Sequence, residues 1–178
     1  KAGAVMVPLN TDLYGEGLAY VLRDSTATTI FIDDATREHY ETVRGDDNHV
    51  ETEFLLGEAP PRSSYQSFAA LLDAEQAMGP SRSPRGSDPM SIIYTSGTTG
   101  EPKGVVLPHY SYITTGSVFA DMVLSSGRDD RAFTTLPLSH ANAQQTTVPG
   151  AILAKTDFAL YEEFDPDRFW DQIRRHDA

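Results

Sequence analysis

The stretch Tyr94-Thr-Ser-Gly-Thr-Thr-Gly-Glu-Pro-Lys-Gly104 gathers the side chains best suited to chemistry. Thr95, Ser96, Thr98 and Thr99 carry hydroxyl donors, and Gly97, Gly100 and Gly104 let the backbone bend and bring N–H groups close to a ligand. Lys103 adds the one positive charge of the loop, and Pro102 stiffens the approach to it. Converging O–H, N–H and ammonium donors suit an oligophosphate, whose oxygens are charged acceptors. A Walker A loop would need G-x-x-x-x-G-K-[ST] running directly into a helix. Here Gly97, Gly100 and Lys103 stand at three-residue intervals, and the strand-like Gly104-Val-Val-Leu107 follows. Anion binding by a helix dipole therefore cannot be assumed, and the loop must work through its own donors. Bare Ser, Thr and Gly would also suit an ordinary connection; Pro102-Lys103-Gly104 at this distance is what separates the two readings.

The elements that must carry this loop read as alternating strands and helices. Ala4 to Leu9 is a short apolar run, expected as a buried strand. Tyr14, Leu18, Val21 and Leu22 share one helix face. Thr28 to Ile32 is β-branched and aromatic, hence a strand. A polar helix over Asp34 to Val43 and a strand over Glu51 to Leu56 follow, so a βαβ unit and a parallel sheet with covering helices are expected. A further helix carries Phe68, Leu71 and Leu72. Residues 79–89 are dominated by Gly, Pro and Ser and read as an internal loop. Met90 to Tyr94 and Gly104 to Leu107 are the strands on either side of the donor loop, and a helix is expected over Tyr110 to Leu124. Ala132 to Leu136 and Asp157 to Leu160 are further strands. The last helix is expected over Asp165 to His176, with Asp165 as cap and Pro166 at its first position. Phe169, Ile173 and the adjacent Trp170 are expected as its core packing. The acidic group Glu162, Glu163, Asp165 and Asp167 reads as a solvated surface and helix start, not as a metal site. His109 reads as structural, as would His140 if judged alone.

The segment YTSGTTGEPKG resembles the phosphate-loop signature of the adenylate-forming superfamily: acyl- and aryl-CoA synthetases, adenylation domains of nonribosomal peptide synthetases, and beetle luciferases. Upstream, KAGAVMVPLNTDLYGEGLAYVLRDSTATTIFID resembles an early segment of that family. Downstream, TTLPLSHANAQ resembles its Leu-Pro-Leu-Phe-His segment, and FDPDRFWDQIRRHDA resembles the helix after it. The resemblance implies an α/β fold of layered sheets with covering helices. Residues 1–178 would be part of the large N-terminal AMP-binding domain, incomplete at both ends. It implies an acid–thiol ligase: a carboxylate joins the α-phosphate of ATP as an acyl-adenylate, and a thiol, usually of coenzyme A, then displaces AMP. ATP, Mg2+ and coenzyme A are the implied cofactors. Thr95, Ser96, Gly97, Thr98, Thr99, Gly100 and Lys103 would hold the β- and γ-phosphates. His140 would lie beside the acyl-adenylate; Ser139 replaces the usual aromatic before it, which points to an altered pocket shape. Asn142-Ala-Gln144 resembles carnitine/crotonobetaine- and fatty-acyl-CoA ligase-like branches. An amino-acid-activating domain that loads a carrier protein, or a non-catalytic nucleotide-binding module, would carry the same signature. Family segments that contribute a Mg2+-associated Glu, a ribose-holding Asp and an adenylation Lys are not found here. The chain is therefore expected to be a slice of a longer one and not to form acyl-adenylate alone.

Composition narrows the partners. Lys and Arg number 14 against 26 Asp and Glu, a net charge of −12 with His neutral. That disfavours a generic nucleic-acid binder, which needs a basic face, and docking on anionic lipid. No run approaches the length of an apolar membrane span. The absence of Cys excludes disulfides and thiolate-held metals and fits a reduced, cytoplasmic setting. The expected partner is a small carboxylic acid, with ATP and coenzyme A.

Overall fold

The computed structural model describes residues 3–58, 60, 62–73, 83–95, 101–122 and 131–178. It divides into two compact units, one of residues 1–83 with 94–105 and one of residues 84–93 with 106–178, so that the division passes through two strands.

In the first unit, helix α1 (Gly15–Ser25) buries Leu18, Ala19, Val21 and Leu22, the face expected from their spacing. It ends at Thr26, whose left-handed backbone (φ 52°) turns its N–H onto the carbonyl of Arg23. Strand β1 (Thr29–Ile32) alternates, with Ile30 and Ile32 inward. Helix α2 covers only Arg37–Glu41. The expected start near Asp34 is displaced because the Asp33 carboxylate accepts from the backbone N–H of Thr36 at 2.9 Å and from its hydroxyl at 2.6 Å, which holds a turn there. Strands β2 (Thr52–Leu55) and β3 (Gln66–Ser67) complete a three-stranded parallel sheet in the order β1-β2-β3, with Ile32 opposite Leu55 and Leu55 opposite Ser67. Helix α3 (Phe68–Leu72) follows β3, capped by Ser67, whose Oγ accepts from the N–H of Ala70. Leu18, Ala19, Leu22, Ile30, Ile32, Tyr40, Val43, Leu55 and Tyr65 form the core. The apolar run Ala4 to Leu9 is not a strand: it makes one bridge at Met6 and leaves Val5 and Met6 exposed.

A charged cluster closes one side of this unit. Arg44 donates through Nε and Nη2 to the two oxygens of Glu53, and Tyr40 donates to Glu53 Oε1 at 2.7 Å. Arg44 also lies 4.6 Å from the Tyr65 ring centre. Partial burial works to raise the Glu53 carboxyl, but hydrogen bonds from Arg44 and Tyr40 outweigh it and hold the group below its ordinary value. A depressed carboxylate stabilises the fold above its unfolded pKa, and that contribution disappears as pH falls through the folded one. Glu53→Gln is therefore expected to cost about 1–3 kcal/mol at pH 7. The gap from wild type should narrow once pH drops below the ordinary carboxylate value of 4.5. Denaturant titrations of both proteins at pH 7 and near the acid limit check this; a gap independent of pH would contradict it.

Strand β4 (Pro89–Thr95) and strand β5 (Lys103–Pro108), the two strands that the division crosses, pair in a two-stranded sheet, and β5 leads into helix α4 (His109–Met122) of the second unit. The N–H of His109 donates to the carbonyl of Asp88, so this histidine enters the structure at the foot of α4. Of the expected loop at 79–89, residues 79–82 lie outside the described ones; Arg85 to Asp88 form a turn, with the Asp88 carboxylate accepting from the Arg85 N–H. Strands β6 (Arg131–Thr134) and β7 (Asp157–Leu160) are parallel, with Arg131 opposite Asp157. Between them run a π-helical segment (Asn142–Thr147) and helix α5 (Val148–Ala154), a βαβ crossover. Helix α6 begins at Phe169, not Asp165, and ends at His176. Asp165 is not its cap: its carboxylate accepts from the N–H of Asp167 at 2.9 Å within the preceding turn, and the cap position falls to Arg168, which makes no side-chain cap bond. Phe169 packs edge-on against Phe133 at 5.6 Å but, like Ile173, is only half-buried, and α6 has no fully buried residue. Trp170 is 64% exposed, its ring 5.2 Å from that of Phe169, because it stands one residue, about 100° of helix, off the inward face. Among the described residues no helix is long and apolar enough to cross a membrane, and no group of three His, Asp or Glu could hold a metal.

Candidate functional site

Pairing of β4 with β5 places the two ends of the donor loop together. Thr95, the last residue of β4, donates its hydroxyl to the carbonyl of Lys103, the first residue of β5, at 3.5 Å. Both residues are exposed. Ser96, Gly97, Thr98, Thr99 and Gly100 lie outside the described residues. The base of the loop is held from α1: Tyr94, next to Thr95, donates its hydroxyl to the carboxylate of Asp24 at 2.6 Å. Partial burial, then the hydrogen bond to Asp24, pushes the Tyr94 phenol above its ordinary value, so it keeps its proton and remains the donor. Nothing in the sequence pattern singled out Asp24, because its partner is 70 residues away.

The second unit builds its own site at the carboxyl end of β6. Loops leaving the carboxyl ends of parallel strands are where open α/β sheets bind ligands. The chain leaves β6 at Thr134, whose buried hydroxyl accepts from the N–H of Leu136 at 3.2 Å. It then turns on itself, the N–H of His140 donating to the carbonyl of Pro137 at 2.9 Å. His140 is exposed, and the N–H of Asn142 donates to its Nδ1 at 3.2 Å.

Behind this turn lies a buried polar chain that the sequence reading did not anticipate. Ser91 of β4 is fully buried, and its Oγ lies 2.8 Å from the hydroxyl of Tyr112 in α4. Tyr112 gives its proton to Gln144 Oε1 at 2.6 Å. Ser91 must therefore be the donor to Tyr112, since the phenol has only one hydrogen. Burial raises the Tyr112 phenol and keeps it protonated for this role. Gln144 Nε2 in turn donates to the carbonyl of Leu138 at 3.0 Å, and the backbone N–H of Gln144 donates to the carbonyl of His140 at 3.2 Å. Gln144 sits in the π-helical segment, a local widening of the helix that recurs at functional sites.

The structure thus brings Thr95 and Lys103 together and places His140 on a separate, well-braced turn. Among the described residues of the loop, the Thr95 hydroxyl and the exposed Lys103 are donor types that fit phosphate oxygens. The described residues offer no ligand cluster for Mg2+.

Comparison with known proteins shows the family and the fold. A family model described as AMP-binding enzyme matches residues 1–178. The crotonobetaine/carnitine–CoA ligase of Salmonella choleraesuis (strain SC-B67) is 34% identical over an alignment covering all of this chain and 35% of that protein. The chain therefore spans about a third of the length of the curated relatives it matches. Among solved structures, the inhibitor-bound N-terminal domain of FACL13 from Mycobacterium tuberculosis superposes with a TM-score of 0.80 at 26% identity, over 98% of this chain and 42% of that one. A long-chain-fatty-acid CoA ligase structure from Rhodopseudomonas palustris gives 0.83 at 19% identity, over 99% and 43%, a likeness of fold.

Proposed function

Because the chain belongs to the AMP-binding enzyme family, we propose that it is part of an ATP-dependent carboxylate–CoA ligase, acting in the cytoplasm on a small carboxylic acid. The observation that supports this reading is the pairing of β4 with β5, which brings the two ends of the loop, Thr95 and Lys103, together.

A carboxylate is a poor acyl donor because its oxygen is a poor leaving group. In the first step a carboxylate oxygen attacks the α-phosphorus of ATP, and the bond to the bridging oxygen breaks, giving acyl-adenylate and pyrophosphate. In the second the thiol of coenzyme A attacks the acyl carbon, losing its proton, and AMP leaves. An anion attacking a polyanion is disfavoured unless donors take up charge on the departing oxygens. Thr95, Ser96, Gly97, Thr98, Thr99 and Gly100 supply hydroxyl and backbone donors to the β- and γ-phosphates, and Lys103 supplies a full charge. His140 contributes a ring donor on the acyl side. Mg2+ would add charge neutralisation when bound, but no residue described here is assigned to it and no step is built on it. Relatives named as CoA ligases favour coenzyme A over a carrier-bound thiol.

The test is exchange of labelled pyrophosphate into ATP by the complete protein, run with a panel of betaine-like, aliphatic and aromatic carboxylates. At least one acid should drive exchange and, with coenzyme A added, release AMP. Release of ADP and phosphate instead, or exchange with none of the panel, would count against the assignment.

A further inference from the structure

We propose that Gln144 is a positioning residue for His140: it locks the turn that fixes the imidazole as a single tautomer, with the proton on Nε2. The proposal rests on the ligase reading for its consequence in catalysis, though not for its geometry. The Nδ1 atom of His140 receives the N–H of Asn142 at 3.2 Å. A nitrogen that accepts a hydrogen bond carries no hydrogen, so in the neutral ring the proton is on Nε2. The exposed edge of His140 is then a hydrogen-bond donor, the polarity suited to the oxygen of a carboxylate or of the adenylate made from it.

That arrangement depends on Asn142 keeping its N–H aimed at the ring two residues earlier. Gln144 holds both sides of the turn. Its side-chain Nε2 grips the Leu138 carbonyl before His140, and its backbone N–H grips the carbonyl of His140 itself. The side chain has no freedom to turn over, because Oε1 is committed to Tyr112, and Tyr112 to the fully buried Ser91. Exchanging the two ends of the amide would set a donor against the Tyr112 proton and an acceptor against the Leu138 carbonyl. The chain Ser91–Tyr112–Gln144–Leu138 thus has one satisfied orientation, and buried polar networks of this kind are what fix a unique geometry.

The experiment is nitrogen-15 NMR of the histidine rings in the complete protein, selectively labelled, with His140→Gln used to assign the signal, beside steady-state kinetics. Wild type should show a His140 ring protonated at Nε2 alone. In Gln144→Leu the ring should become a mixture of tautomers, and KM for the carboxylate should rise about tenfold while KM for ATP is unchanged. Gln144→Glu, which keeps an acceptor for Tyr112 but has no donor for Leu138, should behave likewise. A ring that stays protonated at Nε2 alone in Gln144→Leu, whatever its melting temperature, overturns the proposal, as does a wild-type ring protonated at Nδ1. If Gln144→Leu does not fold, Tyr112→Phe decides by the same signals. Should no carboxylate be activated at all, the ring spectra still decide the tautomer while the ligase reading fails separately.

Discussion

Replacing Lys103 by alanine in the complete protein should slow adenylation about a hundredfold or more, the scale seen when one fixed donor is removed from a developing anion. Pyrophosphate departs with its charge concentrated on the β- and γ-phosphates, so a donor there acts on the first half-reaction. The second has no pyrophosphate to stabilise. Thioester formation from supplied acyl-adenylate and coenzyme A should therefore fall far less than adenylation. Glu101 lies two residues before Lys103, so the local field is not strongly positive and one ammonium carries much of the contrast. Lys103→Arg keeps the charge with a different reach and should fall between wild type and alanine. Stopped assays of each half-reaction, run on the same preparations, separate the cases. Equal losses in both would assign Lys103 to the fold or to coenzyme A instead of the phosphates.

The donor loop could be picked out from residue types at fixed spacing, and the pairing of β4 with β5 brings its two ends, Thr95 and Lys103, together. The parallel sheets were legible for a related reason: Thr29–Ile32 and Thr52–Leu55 are short β-branched or apolar runs separated by a helix-length segment, and such strands pair in parallel. What periodicity cannot report is where an apolar run finds its partner. Ala4 to Leu9 has the composition of a buried strand but makes only a bridge. Trp170 has the composition of a core residue but points away from the face that Phe169 occupies. The π-helical segment over Asn142–Thr147 was illegible because an extra residue in a turn leaves no sequence signature. Gln144 could be quoted as part of a motif, yet its role comes from Tyr112 and Ser91, 32 and 53 positions earlier, which only folding brings together.

Gly116 shows how closely this site depends on packing further back, and its substitution carries the largest expected loss of stability. A glycine inside a helix ordinarily costs about 1 kcal/mol relative to alanine, so a glycine in the middle of α4 needs a reason. A Cβ built at Gly116 would stand 2.8 Å from Pro149 Cβ, 3.0 Å from its carbonyl carbon and 3.1 Å from Leu153 Cδ1. Two of those atoms belong to a proline in α5, which cannot rotate aside. Across the same helix contact, a Cβ at Gly150 would stand 2.5 Å from Phe119 Cδ1 and 3.2 Å from its Cβ and Cγ. Overpacking of this kind costs about 1–3 kcal/mol for a small addition, and more for a branched one. Gly116→Ala should therefore be destabilising despite its better helix propensity, and Gly116→Val should cost at least about 3 kcal/mol. Gly150→Ala should be destabilising as well, since its Cβ meets the root of the Phe119 side chain and not only its ring. Function should be affected too. Tyr112 lies one turn before Gly116 on α4, and Gln144 lies in the π-helical segment that runs directly into α5. Forcing the two helices apart at Gly116 pulls on the 2.6 Å bond between Tyr112 and Gln144. Gly116→Ala protein that remains folded should then show a raised KM for the carboxylate, with ATP binding at Lys103 unaffected. Denaturant unfolding of the three variants, with both KM values measured on those that fold, gives the comparison. A Gly116→Ala protein as stable as wild type would mean that α5 can shift without cost and that the close approach of the helices is not what holds Gln144 in place.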